Sequence, residues 1–148
     1  MTFVSQVLEA KGSELHSLPP DATVFEALER MAQKNVGALL VIDRGKLAGI
    51  FSERDYARKV ALFGKTSRET RVREVMSTDV VCVNPRQTIE ECMSLMTENR
   101  IRHLPVLEGE GVAGVVSIGD VVKAIIADRE FQLKQLEGYI AGSPPARP

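Results

Sequence analysis

A serine followed three residues later by an aspartate occurs twice in a context where the pair could do chemistry. The pairs are Ser52 with Asp55 in GIFSERD and Ser117 with Asp120 in GVVSIGD. At the start of a helix, the hydroxyl caps free backbone N–H groups and the acid lies beside the positive end of the helix. The same groups suit a nucleoside phosphate: the donors bind an anionic oxygen, and the carboxylate accepts the vicinal hydroxyls of a ribose. The motif alone leaves both interpretations open, a helix cap and a ligand site.

Catalytic chemistry has little support in the sequence. Neither Ser52 nor Ser117 is accompanied by a base that would make it a nucleophile, and there is no glycine-rich loop to cradle phosphates. Cys82 and Cys92 occur without a CxxC pattern or paired histidines, so we predict small buried apolar side chains rather than zinc ligands. We therefore expect no enzyme activity, no catalytic cofactor and no metal.

The two motifs belong to an internal duplication. Residues 23–60 align with residues 88–125 at a constant offset of 65 without a gap, and nine of the 38 pairs are identical. The identical pairs include Gly49/Gly114, Ser52/Ser117 and Asp55/Asp120. A register kept over this length indicates a repeated structural unit.

Each copy predicts a helix, two strands and a second helix. Apolar residues at helical spacing run from Val24 to Met31 in the first copy, and two apolar runs separated by a polar turn follow. A short strand is predicted before the second copy at residues 79–83, with residues 14–18 as a candidate counterpart. One such unit buries too little surface to be stable alone. We therefore expect an α+β fold in which two β-α-β-β-α repeats pack about a pseudo-two-fold axis and share one core.

The expected organisation has four parts. They are residues 1–76 (an N-terminal helix, the first repeat and a polar link at 64–76), 77–128 (the second repeat), 129–141 (a C-terminal helix) and 142–148 (a disordered tail). The apolar residues between Phe131 and Ile140 fall near helical spacing and need a partner. That partner is either the rest of the chain or a second copy.

Composition bounds the possible partners. The chain has 148 residues, of which 44% are hydrophobic and 26% charged, and its formal net charge is −1. A general nucleic-acid binder normally carries a basic excess, so nucleic acid is not an expected partner. No apolar run approaches the roughly 18 residues of a membrane span, and the first twelve residues do not resemble a signal peptide. We expect no membrane contact and a cytoplasmic location.

The duplicated unit resembles a known family. A β-α-β-β-α unit that ends in Gly, two apolar residues, Ser-x-x-Asp, with RHLPV at residues 102–106 before it, is similar to the cystathionine-β-synthase (CBS) domain. Two copies resemble a CBS pair, or Bateman module, and the run GALLVID…LAGIFSERDYARKV is similar to small stand-alone members. The resemblance covers about residues 5–127. It implies an adenosine ligand (AMP, ADP, ATP, NAD or S-adenosylmethionine) in the cleft between the copies, and a homodimer.

The resemblance also implies roles for single residues. Asp55 and Asp120 match the acid that holds the ribose hydroxyls. Ser52 and Ser117 match the hydroxyl that supports the ribose or a phosphate. Arg102 matches a position where family members place a basic phosphate contact.

The copies differ in their charged residues. Arg102 and His103 of the second copy align with Gly37 and Ala38 of the first, whereas the first copy alone has Arg54 inside its motif. Because arginine presents forked donors to a phosphate, we predict that Arg54 and Arg102 contact a phosphate. We group His103 with them, with a cap at a strand end as the alternative.

Further candidates carry less weight. Ile118, inside the second motif, is predicted to face adenine, and Arg58 and Arg100 are predicted to be solvated charges. Unequal copies predict unequal occupancy of two sites.

Two functions remain after these arguments. The leading hypothesis is a regulatory module that senses an adenine nucleotide and modulates an unidentified protein partner in trans, since no effector domain accompanies the repeats. The alternative is a structural dimerisation or partner-binding domain in which the Ser-x-x-Asp motifs act only as helix caps.

Overall fold

The computed structural model describes residues 1–12 and 15–140. The elements are α1 (Val4–Lys11), β1 (Ser17–Leu18), α2 (Val24–Lys34), β2 (Ala38–Asp43), β3 (Lys46–Ser52), α3 (Glu53–Asp55), a π-helix (Tyr56–Ala61), α4 (Val72–Val75), α5 (Ile89–Asn99), β4 (His103–Glu108), β5 (Gly111–Ser117) and α6 (Ile118–Ile140). Position 14 of the candidate strand, position 141 and the expected tail at 142–148 lie outside the described residues.

The first helix of each repeat begins and ends in the same way. The Thr23 hydroxyl accepts from the backbone N–H of the third helical residue at 3.1 Å, and Thr88 makes the equivalent contact at 3.2 Å. Such caps satisfy N–H groups that have no partner inside the helix. The helices then stop at Asn35 and Arg100, both in the left-handed conformation with φ of 54°.

The two sheets repeat each other residue by residue. β2 pairs antiparallel with β3 in the first repeat, and β4 with β5 in the second. The pairs at the motif end are Ala38 with Ser52 and His103 with Ser117, and the register shifts after Val41 and after Val106. All of these positions differ by 65, so the α+β pair of repeats related by a pseudo-two-fold axis, expected from the duplication, is confirmed.

The strand predicted at residues 79–83 is wrong, and a proline explains it. Only Val83 pairs with β4, through one parallel bridge. In the first repeat, Leu40 N donates to His16 O at 3.1 Å and β1 forms beside β2. The residue in the place of Leu40 is Pro105, which has no N–H to donate. Pairing therefore cannot extend from Val83 towards the N-terminus.

The expectation of one shared core is also wrong, because the buried residues form two clusters. The first cluster joins α2, β2 and β3 with Val72 and Val75 of α4. The second joins α5, β4 and β5 with Val4 and Val7 of α1. The link predicted to be polar at residues 64–76 therefore contains a short helix, α4, whose Val72 and Val75 belong to the core of the first repeat. In space, α1 covers the second repeat although it precedes the first in sequence.

The remaining features concern α6 and the cysteines. α6 runs without interruption from Ile118 to Ile140, so the apolar residues after position 128 extend the last helix of the second repeat.

Cys92 is fully buried as predicted, and burial, with the nearby Glu91 and Glu90, raises the pKa of its thiol to about 11. Cys82 is half-buried. Among the described residues, no helix is long and apolar enough to cross a membrane.

Candidate ligand-binding site

A cavity of about 370 Å³ opens between the repeats at the first motif, and we call it the first cavity. One wall is formed by Gly37, Ile50 and residues 52–55, which end β3 and begin α3. The opposite wall comes from Ser77, residues 79–81 and residues 101–103 at the start of β4. We call residues 11–16 and 76–81, which precede the first helix of each repeat and are related by the offset of 65, the entry segments. The first cavity is thus built from the motif of the first repeat, the entry segment of the second repeat and the start of β4.

A second cavity of about 320 Å³ lies at the second motif. Its walls include Lys11, Gly12 and His16 from the entry segment of the first repeat, with residues 35–38, 113–115, His103 and Ser117. Several of these residues are related to those of the first cavity by the offset of 65: Gly12 to Ser77, His16 to Val81, Gly37 to Arg102 and Ser117 to Ser52. The two cavities are pseudo-symmetric copies of one site.

Asp55 is the most enclosed polar group at the first cavity, with 7% exposure. Its Oδ2 accepts from the backbone N–H of Ser52 at 2.9 Å and from the Ser52 hydroxyl at 3.1 Å. Its Oδ1 accepts from the Ser77 hydroxyl at 3.0 Å and pairs with Lys59 Nζ at 3.1 Å. The carboxylate both caps the helix and ties α3 to the entry segment of the second repeat.

Asp120 has a different set of partners beside the second cavity, whose wall includes Lys11 and Ser117 but not Asp120 itself. Its Oδ2 accepts from the backbone N–H of Ser117 at 2.9 Å and from Lys11 Nζ at 2.6 Å. Burial acts to raise the pKa of Asp120, but the hydrogen bonds and charge of Lys11 together with the Ser117 bonds outweigh it, so the pKa is lowered. The second motif is thereby closed by a lysine from α1.

The predicted phosphate ligands meet on the wall of the first cavity. Arg54, Arg102 and His103 all line it, although the first comes from one repeat and the other two come from the other. Arg54 Nη1 donates to the backbone oxygen of Arg100 at 2.8 Å, which joins the repeats at the rim. Arg58 lines neither cavity.

His103 lies between the two cavities and lines both. Its Cε1 would be 3.7 Å from a Cβ built on Gly37, an ordinary van der Waals distance, so the ring of one repeat packs beside the backbone of the other. Burial, helped by the charge of Lys11, lowers the pKa of His103. The neutral imidazole therefore predominates at pH 7.

Ile118 lines neither of the two cavities, but it adjoins two other predicted site residues. With Arg54 and Arg102 it borders a separate shallow pocket, and its backbone N–H donates to the backbone oxygen of Arg102 at 2.8 Å. The apolar part of the first cavity is formed by other side chains, namely Ile50, Val80, Val81 and Ile101. These residues offer an apolar surface inside the first cavity, and the contact of Ile118 with adenine stays a prediction.

The sequence interpretation missed the entry segments. Residues 79–81 belong to a predicted strand, Ser77 begins the predicted second repeat, and Lys11 lies in the N-terminal helix; none of them is predicted to have a role in the site. Contacts such as Ser77 with Asp55 and Lys11 with Asp120 join residues 22 and 109 positions apart, which no local pattern reveals. The offset of 65 was the available signal, because it equates residues 12–16 with residues 77–81.

Comparison with known protein families identifies both repeats. The model of the CBS domain matches residues 7–62 and again residues 72–127. A CBS domain-containing protein of Arabidopsis thaliana, CBSX3, mitochondrial, is 41% identical over 150 aligned positions, covering 95% of this chain and 73% of its own.

Solved structures give the same answer. A CBS-domain protein from Burkholderia ambifaria MC40-6 is 49% identical with a TM-score of 0.82, and the match covers 86% of this chain and 96% of that one. The CBS domain pair of MJ0100, solved in complex with 5′-methylthioadenosine and S-adenosyl-L-methionine, superposes with a TM-score of 0.74 at 21% identity, covering 86% and 98% of the two chains. The latter likeness concerns the fold alone.

Proposed function

Because the chain belongs to the CBS-domain family and carries two CBS domains in tandem, we propose that it is a regulatory module rather than an enzyme. It binds an adenosine-containing ligand (AMP, ADP, ATP or NAD) between the repeats and thereby modulates a protein partner. The first cavity is the principal site in this proposal.

The observation that carries the proposal is the division of the first cavity into an apolar and a polar side. Ile50, Val80, Val81 and Ile101 provide the apolar side, and the motif residues with Arg54 and Arg102 provide the polar side. Ligand sites in proteins are mostly apolar pockets of roughly 300–1,000 Å³ with a few placed polar groups. A base suits the apolar side, and a ribose and a phosphate suit the polar side.

A backbone group adds to the fit for adenine. Val81 lines the first cavity, and its carbonyl lacks the sheet donor that His16 O receives in the first repeat, because Pro105 has no N–H. A carbonyl without a sheet partner can accept from the exocyclic amino group of adenine. Guanine and hypoxanthine carry a carbonyl at the equivalent position of the ring and would repel it.

The ribose contact requires an exchange of partners at Asp55. A carboxylate has about four acceptor positions, and Ser52, Ser77 and Lys59 already occupy positions on Asp55. A ribose hydroxyl would replace the Ser77 hydroxyl or Lys59, and so loosen the tie between α3 and the entry segment of the second repeat. This exchange gives the ligand a differential affinity for two arrangements of the repeats, which a regulatory switch requires.

Thermal unfolding with single ligands tests the proposal. Wild type is heated with AMP, ADP, ATP, NAD or S-adenosylmethionine, beside Asp55→Asn, Asp120→Asn and the control Asp43→Asn at the exposed end of β2. A ligand that binds only the folded state raises the midpoint. We expect at least one compound to raise it for wild type and Asp43→Asn, with the shift reduced most in Asp55→Asn.

The alternative, a structural domain whose motifs serve only as caps, predicts a different result. Both motif carboxylates do cap helices, which favours that alternative to this extent. It predicts that no compound raises the midpoint of any variant, whereas both Asp→Asn variants unfold earlier than wild type. A shift of equal size in wild type and Asp55→Asn would contradict the assignment of the first cavity as the principal site.

A further inference from the structure

Three arginines line the shallow pocket beside the first cavity. This pocket has a volume of about 270 Å³ and lies where α3, the end of α5 and the start of α6 meet. Its walls contain Arg54, Arg100 and Arg102, and we call it the arginine pocket. Of the described residues that line it, none is acidic; the others are Met96, Thr97, Ile101 and Ile118.

The basic character of the arginine pocket is not a property of the fold. The first repeat has a similar shallow pocket of about 290 Å³, and six of its lining residues are related to those of the arginine pocket by the offset of 65. The related pairs include Asn35/Arg100, Gly37/Arg102 and Glu53/Ile118. The two pockets thus occupy equivalent places, but one is lined by three cations and the other by an acid and no cation. The cations at the arginine pocket are therefore specific to this side of the molecule.

The three arginines retain donors for an anion. Arg54 Nη1 donates to the backbone oxygen of Arg100 at 2.8 Å, which uses only part of its guanidinium group. In the described part of the chain, neither Arg100 nor Arg102 forms an ion pair with a carboxylate. Guanidinium groups that line one pocket repel one another, and an anion bound among them offsets that repulsion and accepts their hydrogen bonds. The pocket therefore suits a group that carries more than one negative charge.

The arginine pocket adjoins the first cavity. Arg54, Ile101 and Arg102 line both spaces, so these side chains form a shared wall. Arg54 and Arg102 are long and exposed, and they can contact an anion on either side of that wall. Arg100, in contrast, lines the arginine pocket but not the first cavity. A ligand that fills the first cavity and carries further negative charge would extend past the shared wall to Arg100.

The size of the first cavity indicates which part of a ligand reaches Arg100. Its volume of about 370 Å³ is near the lower end of the range of roughly 300–1,000 Å³ for ligand sites, so a nucleoside with one phosphate occupies most of it. We propose that the outer phosphates of an adenosine di- or triphosphate lie in the arginine pocket, and that the protein binds ATP in preference to AMP. This inference rests on the proposed function, because it requires the base and the ribose in the first cavity. Arg100 is the residue that determines the preference, since it contacts only phosphates that AMP lacks.

The ratio of the Kd of AMP to the Kd of ATP tests the inference. Calorimetric titrations without divalent cations give both constants for wild type and for Arg100→Asn, which introduces the residue found at the equivalent position, Asn35. Asn35 and Arg100 are both left-handed with φ of 54°, and asparagine tolerates that conformation, so the variant keeps the backbone. The matched control is Arg44→Asn, at an exposed arginine with φ of 52° that lines neither the first cavity nor the arginine pocket.

We expect wild type and Arg44→Asn to bind ATP about tenfold more tightly than AMP, and Arg100→Asn to bind it only about twofold more tightly. Equal Kd values for AMP and ATP in wild type, or an Arg100→Asn variant that keeps the ratio of wild type, would overturn the inference and leave the proposed function in place. An equal loss in Arg44→Asn would also overturn it, because the effect would then follow net charge. If neither nucleotide binds wild type, the proposed function fails and the inference fails with it.

Inorganic tripolyphosphate distinguishes the phosphates of a nucleotide from a free polyphosphate. It has the phosphate chain of ATP without the base and the ribose, so it makes no contact with the apolar side of the first cavity. We expect it to bind wild type about tenfold or more weakly than ATP, and to be displaced by ATP in a competition titration. Tripolyphosphate that binds as tightly as ATP would assign the arginine pocket to a free polyphosphate and overturn the proposal.

Discussion

Lys11 Nζ lies 2.6 Å from Asp120 Oδ2 and 2.9 Å from the backbone oxygen of Val115, so a residue of the first helix occupies the motif of the last repeat. The first cavity has no counterpart of this contact, because the residue equivalent to Lys11 is Met76. There the carboxylate of Asp55 is held by Lys59 of the adjoining π-helix and by Ser77. The two motifs have equivalent backbone arrangements but differ in the cation paired with the aspartate, which is Lys59 for Asp55 and Lys11 for Asp120.

Lys11→Met, which gives the second cavity the residue of the first, is expected to raise the pKa of Asp120. The Lys11 ion pair lowers that pKa, so it adds stability that is present above the unfolded value of about 3.9 and is lost as pH falls through the lower folded value. At neutral pH the partly exposed pair contributes at most about 1 kcal/mol. Carboxyl NMR titration of both proteins measures the pKa. An unchanged Asp120 titration would contradict this account of the second motif.

The two motif glycines should tolerate a methyl group differently. A Cβ on Gly49 would lie 2.7 Å from the backbone oxygen of Ser77, whereas one on Gly114 would meet Cδ2 of Leu8 at 2.9 Å. A leucine end can rotate away, but the Ser77 backbone is paired with Ile50. We expect Gly49→Ala to cost about 1–3 kcal/mol and Gly114→Ala less than about 1 kcal/mol. Urea unfolding of the two variants decides the order, and equal losses would contradict it.

His103 should make the protein sensitive to mild acid. Burial, with the charge of Lys11, lowers its folded pKa, so the unfolded chain binds the proton first. Stability is therefore complete above the unfolded value of about 6.5 and decreases as pH falls through the folded value. His103→Gln removes this dependence. Urea unfolding at pH 7.5 and pH 5.0 should show a smaller loss for the variant than for wild type, and an equal loss would refute the prediction.

Arg54 and Arg102 should favour ligands that carry a phosphate over ligands that do not. Arg54→Ala and Arg102→Ala are each expected to weaken ATP binding by roughly tenfold, because a charge-assisted hydrogen bond contributes about 1.5–3 kcal/mol. Adenosine, which has no phosphate, should bind these variants as it binds wild type. Arg86→Ala, an exposed arginine outside both cavities, is the matched control. Calorimetric titration with ATP and adenosine checks the difference; equal weakening for both compounds would count against a phosphate contact.

Most of the fold could be predicted because its helices and turns depend on residues close together in sequence. Examples are the helical spacing between Val24 and Met31, the threonine caps and the polar turns. The offset of 65 then allowed each element predicted in one repeat to be predicted in the other. The strand at 79–83 failed for a reason that pattern alone does not contain. Its existence depended on a donor from residue 105, and the proline there removed it.

The site could be predicted only in part. Both Ser-x-x-Asp motifs are evident in the sequence because serine and aspartate lie three residues apart. Ser52, Asp55 and Ser117 line the two cavities, whereas Asp120 does not. Ser77 and Lys11 reach the motifs from distant segments, and Ile118 lies outside the walls of both cavities, partly packed against the second cluster. Long-range partners of this kind are set by packing between the repeats.

The most direct test of a ligand between the repeats blocks the first cavity by volume and leaves the helix caps intact. Val80 lines the first cavity but not the second, so Val80→Trp places a large ring in the first cavity alone. Val112→Trp on β5 is a matched change outside both cavities. Calorimetric titration with AMP, ATP, NAD and S-adenosylmethionine should show binding of at least one compound to wild type and Val112→Trp, and none of that binding to Val80→Trp. Absence of binding to wild type, or equal binding to Val80→Trp, would contradict the account.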